Sequence, residues 1–145
     1  MGARYSPTNG MTNQAPLAAV AILPNRSLAQ EFLATLPEAR AFHIAAEWTG
    51  YPPVFKLEAQ LRQAHPDVVL IDVSTDLAQS GCLIEAISGL AMPVPVIALH
   101  TTNEAVALLE CLRSGAAEFL CAPFTPELQR QAGARVRNLL PAEPR

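Results

Sequence analysis

The chain has 145 residues, the size of one compact domain; half are hydrophobic and 16% are charged, which permits a sizeable core and excludes a largely disordered chain. The net charge of −3, with no basic stripe, gives no support to nucleic-acid binding. Three cysteines, Cys82, Cys111 and Cys121, show no CxxC spacing. They speak against a zinc site or a disulfide framework and read as buried or half-buried free thiols in a reducing cytosol.

Residues 1–16 are polar, rich in Gly, Pro, Asn and Thr, and without periodicity, which predicts a disordered leader. Residues 17–23 (LAAVAIL) are apolar throughout and read as a first strand buried on both faces. They are too short to span a bilayer, Pro24 and Asn25 end the run, and the basic start of a signal peptide is missing. A cytoplasmic domain without membrane insertion is expected. Asn25 or Ser27 can cap a first helix over about 27–36, with Leu28, Phe32, Leu33 and Leu36 on one face and Pro37 as its stop. Phe42–Ala46 is a weaker second strand. Val54, Leu57 and Leu61 mark the apolar face of a second helix over about 54–64.

The run Asp67-Val68-Val69-Leu70-Ile71-Asp72 reads as a central parallel strand buried on both faces. A loop follows, and then a third helix carrying Leu83, Ile84, Ile87 and Leu90. Val94–Leu99 is a fourth strand. Thr102 or Asn103 is placed to cap a fourth helix with Val106, Leu109 and Leu112 inward and Gly115 closing it. Glu118–Ala122 is a fifth strand. Thr125 and Pro126 open a fifth helix whose inner face is Leu128, Ala132, Val136 and Leu139. Residues 141–145 are an exposed tail or the start of a linker. Five strands alternating with five helices predict a doubly wound parallel sheet with right-handed crossovers. Ligands bind such sheets at the carboxyl ends of the strands, where Asp72 lies.

The order and punctuation of these elements resemble the receiver domain of two-component response regulators over about residues 17–140. The segments that carry the likeness are DVVLID at 67–72, PVIAL at 95–99 and LRSGAAEFLCAPFTPEL at 112–128. The resemblance implies the flavodoxin-like (CheY-like) (βα)5 fold with strand order 2-1-3-4-5. It makes Asp72 the equivalent of the phosphoacceptor, Phe119 the equivalent of the switch aromatic, and Ala122-Pro123 a candidate cis peptide.

It also implies what an active site of this kind needs. An acidic pair after the first strand holds Mg²⁺, because a hard dication takes oxygen ligands. Pro24 and Asn25 stand there, and all three Asp of the chain lie at or after residue 67. A Thr or Ser after the fourth strand is replaced by His100. A Lys after the fifth strand is replaced by Ala122, and the only lysine, Lys56, belongs to the second helix. Removing one such electrostatic group commonly lowers the rate by about 10²–10³-fold. No useful autophosphorylation, no cofactor and no metal are expected, and the chain reads as a pseudo-receiver.

Asp72 then has three readings: a residual phosphoacceptor, a strand-end carboxylate that caps backbone N–H groups or faces solvent, or a partner of His100 across the pocket. His43 and His65 read as surface or strand-edge residues, Ser74 and Asp76 as turn formers ahead of a weak metal site with Asp72, and Trp48, Tyr51 and Phe55 as packing over the sheet edge ahead of a partner-binding patch.

What remains for function is a surface. The resemblance implies homodimerisation through helix four, strand five and helix five, or through helices one and five. The altered pocket, Ala-rich helices and Pro-containing tail are also similar to the N-terminal domain of TadZ/CpaE-type pilus-assembly proteins. In that family such a domain precedes a MinD/ParA-like ATPase and helps localise the assembly to a cell pole. These 145 residues contain no Walker motif, so such an ATPase would lie outside them. The alternative is a phosphorylatable receiver with Asp72 as acceptor; a second rival binds a small ligand in the altered pocket.

Overall fold

The structure, a computed structural model, describes residues 15–140. Most of the leader and the whole of the tail lie outside the described residues.

Five strands form one parallel sheet: β1 (Leu17–Ile22), β2 (Phe42–Trp48), β3 (Val68–Asp72), β4 (Val96–His100) and β5 (Glu118–Cys121), in the order β2-β1-β3-β4-β5. The helices are α1 (Arg26–Ala34), α2 (Val54–Ala64), α3 (Leu77–Ser88), α4 (Ala105–Ser114) and α5 (Pro126–Arg137). This is the flavodoxin-like arrangement expected. Strands β1, β3 and β4 are the inner strands, and almost every residue in them is buried. That is why they read as continuous apolar runs rather than alternating ones.

Alternation divides the core into two layers. Ala19, Ala21, Val68, Leu70, Ile97 and Leu99 face α1 and α5, where they meet Leu28, Phe32, Ala132 and Val136. Val20, Ile22, Val69, Ile71, Val96 and Ala98 face α2, α3 and α4, where they meet Leu57, Leu83, Ile84, Ile87 and Cys111. The edge strand β2 changes sides part-way. Ala19 pairs with Ile44 but Val20 pairs with Ala46, so Ala45 is an extra, bulged residue. Ile44 therefore packs in the first layer, and Ala46 and Trp48 in the second.

Several local expectations change. Pro37 does not simply stop the first helix; it sits in the first positions of a separate helical turn, Leu36–Ala39, where its fixed φ is favourable. Glu104, not Thr102 or Asn103, is the N-cap of α4, and it makes no side-chain capping bond. Val106, Leu109 and Leu112 point outward from α4, being 67%, 56% and 45% exposed; Ala107 and Cys111 are the buried residues of that helix. The helix is apolar on both sides, so periodicity alone selects the wrong face. Val54 and Leu139 are exposed as well, and so is Cys82, expected to be at least half-buried. The caps at Asn25, Thr125 and Gly115 stand where expected, and Thr125 Oγ1 accepts the Leu128 N–H at 3.1 Å.

Candidate functional site at the carboxyl end of the sheet

Asp72 is the last residue of β3 and is fully buried. Burying a carboxylate is costly unless its oxygens are hydrogen-bonded, and here both are. Oδ1 accepts the Ser74 N–H at 2.7 Å and the Ser74 hydroxyl at 2.6 Å. Oδ2 accepts the Thr75 hydroxyl at 2.6 Å and the Asn25 N–H at 3.1 Å. Three of these four bonds are local, the product of an Asp followed closely by Ser and Thr in a turn. The fourth crosses to the loop after β1. Asn25 also gives its side-chain N–H to Ser74 Oγ at 3.2 Å.

Asn25 is thereby fully employed. Its Oδ1 accepts the Ser27 and Leu28 N–H groups at 3.1 Å each, which starts α1. Pro24, beside it, offers no side-chain ligand. The receiver fold implies Mg²⁺ here, and the residues present do not fit one. Asp72 is the single carboxylate in the network, both its oxygens are committed to protein donors, and the Asn25 side-chain oxygen is spent on the helix cap. Asp76, the next acid along, caps α3 through the Gln79 N–H at 3.0 Å. Among the described residues no group of three or more His, Cys, Asp or Glu could hold a metal ion.

Tyr51, in the loop after β2, closes the network from the α2 side. Its hydroxyl donates to the main-chain carbonyl of Asp72 at 2.5 Å. Burial, and then the negative charge of Asp72, push its pKa up from 10 to about 12, so the phenol is held neutral as a donor. From the sequence, Tyr51 belongs to an aromatic cluster with no link to Asp72, and Ser74 to a turn whose one link to Asp72 is a weak metal site; the structure joins Ser74 to Asp72 by hydrogen bonds instead. The Asp-x-Ser-Thr spacing was the available signal for Ser74 and Thr75; nothing local pointed to Tyr51.

His100 does not meet Asp72. Asp72 pairs with Leu99 in the sheet, and His100 pairs with Cys121. Side chains alternate along a strand, so Asp72 follows Leu70 toward α1 and α5, whereas His100 follows Ala98 toward α3 and α4. There the imidazole stacks on Phe119, with centroids 6.1 Å apart and planes 28° from parallel, and its Nδ1 accepts the Thr102 N–H at 3.0 Å. The His100–Asp72 pairing is therefore corrected to a His100–Phe119 pairing on the other face. Ala122 is half-buried at the end of β5, and its peptide with Pro123 is cis. Lys56 is on α2, 5.9 Å from the ring of the exposed Phe55. His43 and His65 are exposed, and Trp48 and Tyr51 pack against the second core layer, as anticipated; Phe55, expected to pack with them, points to solvent from the first turn of α2.

No family model matches the sequence, and no curated protein does. Solved structures do. The chain superposes on a response regulator from Thermotoga maritima with a TM-score of 0.68 at 18% identity, over 85% of this chain and 98% of that one. The strand order and the alternation of five strands with helices are those of the receiver (CheY-like) fold. The chain is also similar to two further solved structures. One is a CpaE pilus-assembly protein from Burkholderia thailandensis, with TM-score 0.68, 18% identity, and 84% and 98% of the two chains covered. The other is a CheY-like TadZ protein from Pseudomonas aeruginosa, with TM-score 0.66, 18% identity, and coverage of 88% and 98%.

Proposed function

We propose that the chain is a pseudo-receiver: a receiver fold used as a non-catalytic protein–protein interaction module in the cytoplasm, not as a phosphorelay component. The observation that carries this reading is the saturation of Asp72. A phosphoacceptor must present an oxygen to an incoming phosphorus, with cations nearby to offset the charge that builds up. The Asp72 oxygens are instead tied to Asn25, Ser74 and Thr75. Pro24, Asn25, His100 and Ala122 bring neither a metal ligand set nor a cation to them.

The module binds protein: a second copy of itself, through α4, β5 and α5 or through α1 and α5, and an output or ATPase domain. The likeness to the TadZ and CpaE structures favours a role in regulating or localising a larger assembly such as a Tad/Flp pilus-assembly ATPase. Incubation with acetyl phosphate and Mg²⁺, or with beryllofluoride and Mg²⁺, tests the site by intact mass and by ¹⁹F resonance. No adduct is expected. A phosphoryl mass gain that disappears in Asp72→Asn would make the chain a phosphorylatable receiver instead. Co-purification with a P-loop ATPase supports the pilus assignment, and a DNA-binding output domain in its place would redirect it to transcription.

A further inference from the structure

We infer that the groove at the amino end of the sheet, between the last turns of α2 and α3, is a docking site, and that its occupant is residues 141–145 of this chain. The inference goes beyond the reading of the chain as an interaction module and concerns the end of the sheet opposite Asp72.

The groove has a volume of about 500 Å³. Its apolar lining is Leu61 at the end of α2, Leu90, Met92 and Val94 between α3 and β4, and Leu140. Met92 is 82% exposed there. A single exposed apolar side chain is ordinary, but this one belongs to a concave apolar surface.

Leu140 identifies the occupant. It is the last described residue, and the turn after α5 fixes its place. The Leu139 N–H donates to the Val136 carbonyl at 2.9 Å, and the Leu140 N–H donates to the Arg137 carbonyl at 3.2 Å. Leu140 packs against the core layer of α1 and α5 and also lines the groove beside α2 and α3. At residue 140 the chain has thus passed under the edge of the core and entered the groove. Five further residues extend at most about 17 Å, enough to follow the groove across.

The segment Pro141-Ala142-Glu143-Pro144-Arg145 suits that surface. A backbone N–H buried without an acceptor is costly, and two of these five residues have none. Proline rings and an alanine methyl also lose little side-chain entropy when they dock. The charges correspond. Arg62 and Glu58 line the groove as a pair 2.8 Å apart, with side chains 69% and 55% exposed. Glu58 is the only partner of Arg62 among the described residues, so the guanidinium keeps free N–H groups for Glu143, and Arg145 complements Glu58. The leader is the other segment nearby, since Arg137 donates to the Ala15 carbonyl. The residues next to that point, Thr12, Asn13 and Gln14, would bring backbone and side-chain donors to a mostly apolar surface, which is the costlier choice.

Methyl NMR of the full chain, labelled at Met, Ala, Leu and Val, tests the inference. Nuclear Overhauser contacts are expected from the Ala142 methyl to the methyls of Leu90, Met92 or Val94. Met92→Asp changes a side chain that the core does not bury. It should abolish those contacts and speed amide exchange at Ala142 and Glu143, while the strand amides stay protected. An Ala142 methyl without contact to any groove methyl overturns the inference. So do groove contacts from residues 1–14 in its place, or groove shifts that grow with protein concentration, which would put a second copy there. None of these results bears on Asp72, whose reading stands or falls on adduct formation with acetyl phosphate or beryllofluoride.

Discussion

The backbone N–H of Asn25 points at Oδ2 of Asp72 across 3.1 Å, joining the loop after β1 to the end of β3. In an active receiver, resemblance places an acidic metal ligand at residue 25. Here an amide donor takes hold of the carboxylate directly. The charge of Asp72 is balanced by dipoles of the chain itself, and the residue has become a structural node.

Replacing Asp72 should therefore cost stability. Asp72→Ala leaves the half-buried N–H groups of Asn25 and Ser74 without their acceptor, at up to about 1–3 kcal/mol for each group left unsatisfied. A total loss of about 2–4 kcal/mol is expected from urea denaturation, with a smaller loss for Asp72→Asn, which keeps one acceptor oxygen. A neutral or stabilising Asp72→Asn would show that the carboxylate is not serving the fold.

Tyr51 carries an alkaline pH signature. The Tyr51 phenol ionises near 10 when unfolded and about 12 when folded, because burial and the Asp72 charge favour the neutral form. A raised folded-state value means that the stabilising contribution is complete below pH 10 and is lost as pH rises from about 10 through about 12. Tyr51→Phe should remove that alkaline decline. It should also cost about 1 kcal/mol at neutral pH, through the lost bond to the Asp72 carbonyl. Tyrosinate absorbance and denaturation across that range measure both effects.

His100 and Asp72 should be energetically independent. In a double-mutant cycle of His100→Ala and Asp72→Asn, the coupling should lie within about 0.5 kcal/mol of zero. His100→Ala should couple instead to Phe119→Leu, because the two rings stack. A large His100–Asp72 coupling would contradict the face assignment.

Gly115 closes α4 with φ at 118°, and a Cβ built there would overlap Ser88 Oγ and lie 3.0 Å from Ser88 Cβ. Gly115→Ala should cost about 1–2 kcal/mol for the left-handed backbone, plus a clash term. Pairing it with Ser88→Gly should recover the clash and leave the backbone cost. Thermal denaturation of the two variants separates them.

Much of the site was readable from residues 67–72, and much was not. Asp72 at the end of a buried strand follows from five apolar residues closed by an acid. The altered positions Pro24, Asn25, His100 and Ala122 follow from motif register. The Ser74 and Thr75 bonds were within reach, because Asp followed by Ser and Thr two and three residues on is a local turn pattern. Tyr51 was not, since it reaches Asp72 only when the loop after β2 folds over the end of β3. The bulge at Ala45 is of the same kind, being visible only as a shift in pairing between β1 and β2.

By itself the sequence determined the parallel doubly wound sheet, its strand order by resemblance, the capping residue Thr125, the choice of Asn25 or Ser27 for the first cap, and the position of Asp72. These depend on periodicity, turn chemistry and composition, which act over a few neighbouring residues. Only the tertiary structure decided which face each strand-end side chain takes, and so that Asp72 meets Asn25 while His100 meets Phe119. It also decided that α4 buries Ala107 and Cys111 and turns Val106, Leu109 and Leu112 outward. A helix apolar on two sides carries no local instruction about which side the sheet will cover. The space that β4, β5 and α3 leave for α4 settles it, and small residues fit that space.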